Sequence, residues 1–272
     1  MTNHIYNSKK QLFLYYKLFR EEIKNFLPSE IKLPNFFIAG GAVGSVLRGE
    51  RPNDIDLYCV DLDEIISLRQ QILSSYGYSE LAPKETIQTV CCSNKEKGYQ
   101  PGELMCFTKN SLTFKGSKCN YQIITRYAGE TTTVLDNFDF IHTMIAYNDS
   151  SNKFIYGNLY DNEIIMSSIL KQQLVYHHSE YPVSSLFRLK KYIQRGYDIN
   201  ITSLVKLCFD ISLLDLTKPK VLQEQLTGLD MIILSNLINK FSSIEVIDRT
   251  IIDDVIDEVM NRTFEVDNDL EF

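Results

Sequence analysis

The sequence of 272 residues predicts a mixed α+β fold: a small mixed sheet flanked by helices over residues 1–147, followed by an all-helical neck and body over residues 148–272. Three observations predict it. Between Asn35 and Tyr58, NFFIAGGAVGSVLRGERPNDIDLY, two short apolar runs enclose a glycine pair, which reads as strand, turn, helix, strand. Between Ser111 and Ile124, the runs SLTF and YQII are joined by the turn-rich KGSKCN and predict a hairpin. From residue 200 onward the apolar residues recur at helical intervals.

Taken in order, residues 9–27 place Leu12, Tyr15, Tyr16, Phe19, Ile23 and Phe26 on one face of an amphipathic helix. Pro28 and Pro34 bracket a polar connection into the first strand, Phe36–Ala39. A helix begins at Ala42, and Asp54–Tyr58 is the second strand. Asp61 to Tyr76 reads as a helix with an acidic first turn that suits its dipole and with Ile65, Ile66, Leu68 and Ile72 as its stripe. Residues 77–110, with Cys91-Cys92 and the polar SNKEKGYQPGE, are expected to be irregular with one or two short strands.

Ile141, Met144, Ile145 and Ala146 fit a buried helix capped by Asp139. Tyr147 to Leu159 reads as a loop with a hairpin-like return, and 162–175 as a helix. His142 is expected to be a core residue; His177 and His178, adjacent on a helix, lack the spacing of a metal pair. Pro182 opens a helix that Gly196 closes. Beyond it, Leu204, Leu207, Cys208, Ile211 and Leu214 form one stripe, and 229–241 and 246–260 are further helices ahead of a frayed end.

The composition narrows the function classes. A hydrophobic share of 44% and a charged share of 23% suit a folded soluble domain. No apolar stretch approaches membrane-spanning length and the N-terminus has no signal core, so no membrane partner and a cytoplasmic location are expected. The net charge of −7 argues against a protein that coats nucleic acid, without excluding a local basic groove. Six cysteines with no CxxC spacing and four histidines make a zinc site unexpected. The absence of Trp, with abundant Tyr, Phe, Asn, Ile and Lys, fits an AT-rich coding source such as a virus.

Chemistry concentrates in residues 35–58. Gly40 and Gly41 place no Cβ in the way, so backbone N–H groups there can approach a phosphate. Asp54 and Asp56, two apart on a strand, point to one face. Paired anions repel each other, and a hard divalent cation, Mg²⁺ or Mn²⁺, offsets that cost. The plainer alternative is a strand–turn–helix whose aspartates are simply solvated.

The Gly-Gly pair, the interval from Gly41 to Asp54 and the Asp-Ile-Asp run together resemble the nucleotidyltransferase superfamily. Gly-Gly-Ala-Val looks most like the branch of CCA-adding tRNA nucleotidyltransferases and bacterial poly(A) polymerases. Asp139 to Tyr147, DFIHTMIAY, is similar to the stretch of that branch in which an Arg-Asp pair contacts the incoming nucleotide and its metal site. Asp139, Phe140, Ala146 and Tyr147 match, whereas Phe138 stands at the arginine and Thr143 at an asparagine. Pro182 to Ile199 resembles the neck, whose helix reads the nucleotide base, and here Arg188, Lys191 and Arg195 form one basic stripe. The three patches follow the branch's chain order and cover roughly residues 35–200.

Departures accompany the likeness. Gln122 holds the place of the superfamily's third carboxylate, Gly44-Ser45 stand where the branch has Arg-Asp, and Tyr181 and Ser184 replace an acid and an arginine. The resemblance implies a metal-dependent enzyme that moves a nucleoside monophosphate from an NTP to a hydroxyl acceptor, either an RNA 3′ end, a protein or a small molecule, and releases pyrophosphate. Asp54 and Asp56 would be catalytic and hold Mg²⁺ or Mn²⁺. Gly40, Gly41 and Ser45 would cradle the phosphates, and Asp139, Arg188 and Lys191 would contact the nucleotide. The acidic body lacks the basic clusters that would hold a whole tRNA. A catalytically lapsed fold, regulating through nucleotide or protein binding, is the alternative that the departures leave open.

Overall fold

A computed structural model describes residues 2–78, 88–89, 98–108 and 110–226, and the chain divides into two compact units, Met1–Val175 and a second beginning at Tyr176. Cys91, Cys92, the SNKEK part of the SNKEKGYQPGE loop and the helices expected at 229–241 and 246–260 lie outside the described residues.

The first unit is built on an eight-stranded mixed sheet, in the spatial order β3-β4-β5-β6-β2-β1-β7-β8. The strands are β1 (Phe36–Ala39), β2 (Asp54–Cys59), β3 (Gln88–Thr89), β4 (Leu104–Phe107), β5 (Ser111–Phe114), β6 (Asn120–Ala128), β7 (Ile145–Asn148) and β8 (Lys153–Tyr156). Five helices accompany them: α1 (Thr2–Ile23), α2 (Gly41–Leu47), α3 (Leu62–Ser75), α4 (Thr131–Asp136) and α5 (Asn162–Leu170). The β2–β6 pair is parallel and every other pair is antiparallel.

β1 is buried along its whole length: strands pair with both of its edges, and α1 and α2 pack against its side chains. β2 alternates: Ile55 and Leu57 are fully buried, whereas Asp54 and Asp56 are half-exposed on the opposite face. The expected stripe of α1 packs into the core through Leu12, Tyr15, Tyr16, Phe19 and Ile23. Phe19 meets Phe36 edge-on at 5.8 Å and Tyr121 at 5.3 Å. Arg20 ties the same helix to the chain entering β1, donating to the carbonyls of Leu33 at 3.0 Å and Pro34 at 2.9 Å. α3 begins at an Asp61 cap that accepts from the Glu64 N–H at 2.9 Å and buries Ile65, Leu68, Ile72 and Leu73.

Several expectations change. Residues 139–147 do not form a helix: a 3-10 turn over Ile141–Thr143 leads into β7, and Phe140, not Asp139, stands at its head. A short apolar run fits either period, and pairing with β1 decides for the strand. The helix expected to reach residue 175 stops at Leu170, with Gln172 in the left-handed region at φ 52°. His177 and His178 lie outside any helix, and the His178 Nδ1 meets Asp210 Oδ2 at 3.0 Å. The expected division at 147/148 differs from the compact units, because β8 pairs with β7 and stays in the first.

In the second unit, α6 (Pro182–Gln194), α7 (Ile201–Ser212) and α8 (Pro219–Gln225) pack together. Pro182 occupies the first turn of α6 and Gly196, at φ 84°, follows its end. Ser184 is fully buried and donates to the Gln225 carbonyl at 2.6 Å. No helix of the described residues is long and apolar enough to cross a membrane.

Candidate functional site

The glycine turn and the aspartate pair come together through strand register. β1 and β2 run antiparallel with Ala39 opposite Asp56, so the residue after Ala39 emerges beside that carboxylate. Gly40 adopts φ 81° and ψ −150°, a region that essentially only glycine occupies. A Cβ added there would lie 3.8 Å from Asp56 Oδ2 and 3.7 Å from Phe138 Cε2, so a carboxylate and an aromatic ring both face the turn.

The turn's donors divide. The Gly40 N–H is already committed, donating to the Ile145 carbonyl at 3.3 Å, and the Val43 N–H returns to Gly40 O at 3.2 Å. The N–H groups of Gly41 and Ala42, in the first turn of α2, precede any intrahelical acceptor. Gly40 therefore contributes shape and the next two residues contribute donors. Ser45 is buried one turn further on, on the face of α2 that carries Gly41.

β6 supplies the other flank. In its parallel register Asp54 lies opposite Asn120 and Asp56 opposite Gln122, and Gln122 is half-exposed on the face of the two aspartates. The position where a third acid was expected is thus beside the pair, and an amide fills it. Among the described residues no group of three or more His, Cys, Asp or Glu side chains is placed to hold a metal ion. Two carboxylates with a neutral amide oxygen beside them are nevertheless a hard-oxygen set, which fits Mg²⁺ or Mn²⁺ rather than zinc.

Two neighbours could not be read from sequence. Phe138 stands over the glycine turn and against Tyr58 at 5.8 Å, which in turn stacks on Phe37 at 5.6 Å. Cys119 sits next to Asp54; burial pushes its thiol up to about 12, with the Asp54 charge adding to the shift and Arg51 opposing it. Both depend on which strand lies beside which, and only the departure at Phe138 carried a local signal.

The remaining candidates are placed apart in the chain. Asp139 is buried in the first unit, directly after Phe138. Arg188 and Lys191 are half-buried on α6 in the second unit, with Arg188 Nη2 donating to Ser185 Oγ at 3.3 Å. Arg195 caps the end of the same helix.

The first unit is therefore a mixed-sheet domain in which a glycine turn is set against a carboxylate pair. Residues 7–180 match the Gabija anti-defense 2 family, and the chain belongs to that family. No curated protein matches it. Among solved structures it is similar to the Thermotoga maritima CCA-adding enzyme complexed with tRNA, at 15% identity and a TM-score of 0.42 over 86% of this chain and 53% of that one. A CCA-adding enzyme complexed with CTP gives 14% identity and a TM-score of 0.43 over 86% and 54%. A tRNA nucleotidyltransferase with a primer tRNA and an incoming ATP analogue gives 15% and 0.38 over 76% and 57%. The chain spans about half the length of these enzymes.

Proposed function

We propose that the chain is a metal-dependent nucleotidyltransferase that moves a nucleoside monophosphate from an NTP to a hydroxyl acceptor, releases pyrophosphate, and serves Gabija anti-defense in the cytoplasm by doing so. The observation that carries this reading is the register Ala39–Asp56, which sets the Gly40-Gly41 turn against the Asp54–Asp56 face. Asp54 and Asp56 would hold Mg²⁺ or Mn²⁺, with the Gln122 amide oxygen as neutral neighbour. A cation there supplies positive charge at the α-phosphate and acidifies the acceptor hydroxyl.

The chain's own groups do the rest. Gly41 and Ala42 N–H groups and the Ser45 hydroxyl bind phosphate oxygens, and the Gly40 conformation lets those oxygens come close. With an amide at 122, the acceptor's proton passes to Asp54, Asp56 or water, since glutamine cannot take it. Asp139 would contact the nucleotide from the first unit, and Arg188 and Lys191 are the basic contacts that the resemblance implies for the neck helix. The acceptor is an RNA 3′ end, a protein hydroxyl or a small molecule.

The second reading is a regulator that binds nucleotide or protein without transfer. Phe138 favours it, because an apolar ring faces the glycine turn where the resemblance leads one to expect a cation. Nucleotide incorporation separates the two. Purified chain with each labelled NTP, Mg²⁺ or Mn²⁺ and mixed RNA and protein acceptors is expected to transfer label, and an Asp54→Ala, Asp56→Ala variant to lose it by at least about 10³-fold. If no label moves with either metal and NTP binding is unchanged in the variant, the regulator reading replaces the transferase.

A further inference from the structure

β8 is the last strand of the sheet, and among the described residues no strand lies beyond it. Its inner edge is paired: the Gly157 N–H donates to Met144 O at 3.0 Å, and Ile155 lies opposite Ala146. In an antiparallel ladder the hydrogen-bonding direction alternates, so Gly157 and Ile155 turn their backbone groups inward and Phe154 and Tyr156 turn theirs outward. The outward series ends at Asn158, whose N–H is taken by Asp136 Oδ1 at 2.7 Å. Two residues of open ladder remain, a template for another extended chain.

An open depression of about 740 Å³ is formed by β8 and the chain that follows it into α5. Phe154, Tyr156 and Tyr160 line it, and Asp161 and Glu163, both exposed at the start of α5, line its acidic rim. The Phe154 ring already receives an ammonium: Lys9 Nζ lies 5.5 Å from its centroid while donating to Asn152 O at 3.0 Å. Aromatic rings beside carboxylates favour a cationic side chain and disfavour phosphates.

We propose that this edge binds an extended, lysine- or arginine-bearing segment of a protein partner, which adds to β8 as a further strand and directs its basic side chain to Asp161 and Glu163. Main-chain pairing with Phe154 and Tyr156 supplies affinity, and the acidic rim supplies selectivity. The net charge of −7 adds attraction for a basic partner and repels a second copy of this chain. The proposal stands apart from the transferase reading, since none of these residues belongs to the glycine turn or the aspartate pair.

Fluorescence anisotropy with the full chain tests it, using a fluorescein-labelled peptide Thr-Val-Lys-Val-Thr-Val and its counterpart with glutamate for lysine. The lysine probe is expected to bind about tenfold more tightly, and Asp161→Asn with Glu163→Gln to erase that preference. Hydrogen exchange read residue by residue is expected to show new protection at the Phe154 and Tyr156 amides when the lysine probe binds. Equal binding of the two probes, no protection at those amides with millimolar lysine probe, displacement of the probe by a short RNA, or a dimer in which both amides are protected without any probe would each overturn the proposal.

Discussion

Asp149 sits in the turn between β7 and β8 with its Oδ1 buried and without a hydrogen-bond partner. Burial raises its carboxyl above the ordinary 3.8, and Arg20 pulls the other way without cancelling the shift. A carboxyl raised in the folded state leaves stability intact below its unfolded value and lowers it as pH rises through the folded one. Asp149→Asn is therefore expected to raise Tm at pH 7, with the gain disappearing below about pH 3.8; thermal melts across that range check it. The neighbourhood of Asp54 presents another perturbed group. Cys119, held up to about 12, stays a thiol at neutral pH and offers no nucleophile to the site. Asp54 and Asp56 were legible because period-two alternation is a local property of one strand. Phe138 over Gly40 was not, because nothing within six residues of Phe138 says which turn it will face.

At the level of elements, local signals held where a cap or a breaker marked the ends. Asp61 at the head of α3 shows this, and Asp61→Ala is expected to cost about 0.5–2 kcal/mol, read as a lowered denaturation midpoint with an unchanged slope. β7 shows the opposite case. Ile145, Ala146 and Tyr147 are buried on every side, so their pattern carries no period, and only the approach of β1 makes them a strand. α5 was read too long for a related reason: the apolar residues continue past Leu170 to Leu174 and Val175, while the backbone leaves the helix at Gln172.

Across the whole molecule, the two compact units divide at 175/176, and the polar run His177-His178-Ser179-Glu180 with Pro182 lies just past that boundary, well beyond the 147/148 division that the sequence suggested. The first unit owns the continuous hydrophobic core, from Leu12 on α1 to Ile169 on α5. A fragment of residues 1–175 is accordingly expected to give one cooperative thermal transition by circular dichroism; a gradual, sloping melt would count against an independent unit. The strand order carries a further consequence. β2, with both aspartates, lies between β1 and β6, and β1 in turn needs β7, so the sheet is closed by segments far apart in the chain. During synthesis, at about 5–20 residues per second, Asp54 and Asp56 emerge just after β1 but seconds before β6 and β7. The nascent chain passes through an interval in which the strand carrying both carboxylates has only β1 to pair with, and the completed site appears late, when β6 and β7 join the sheet.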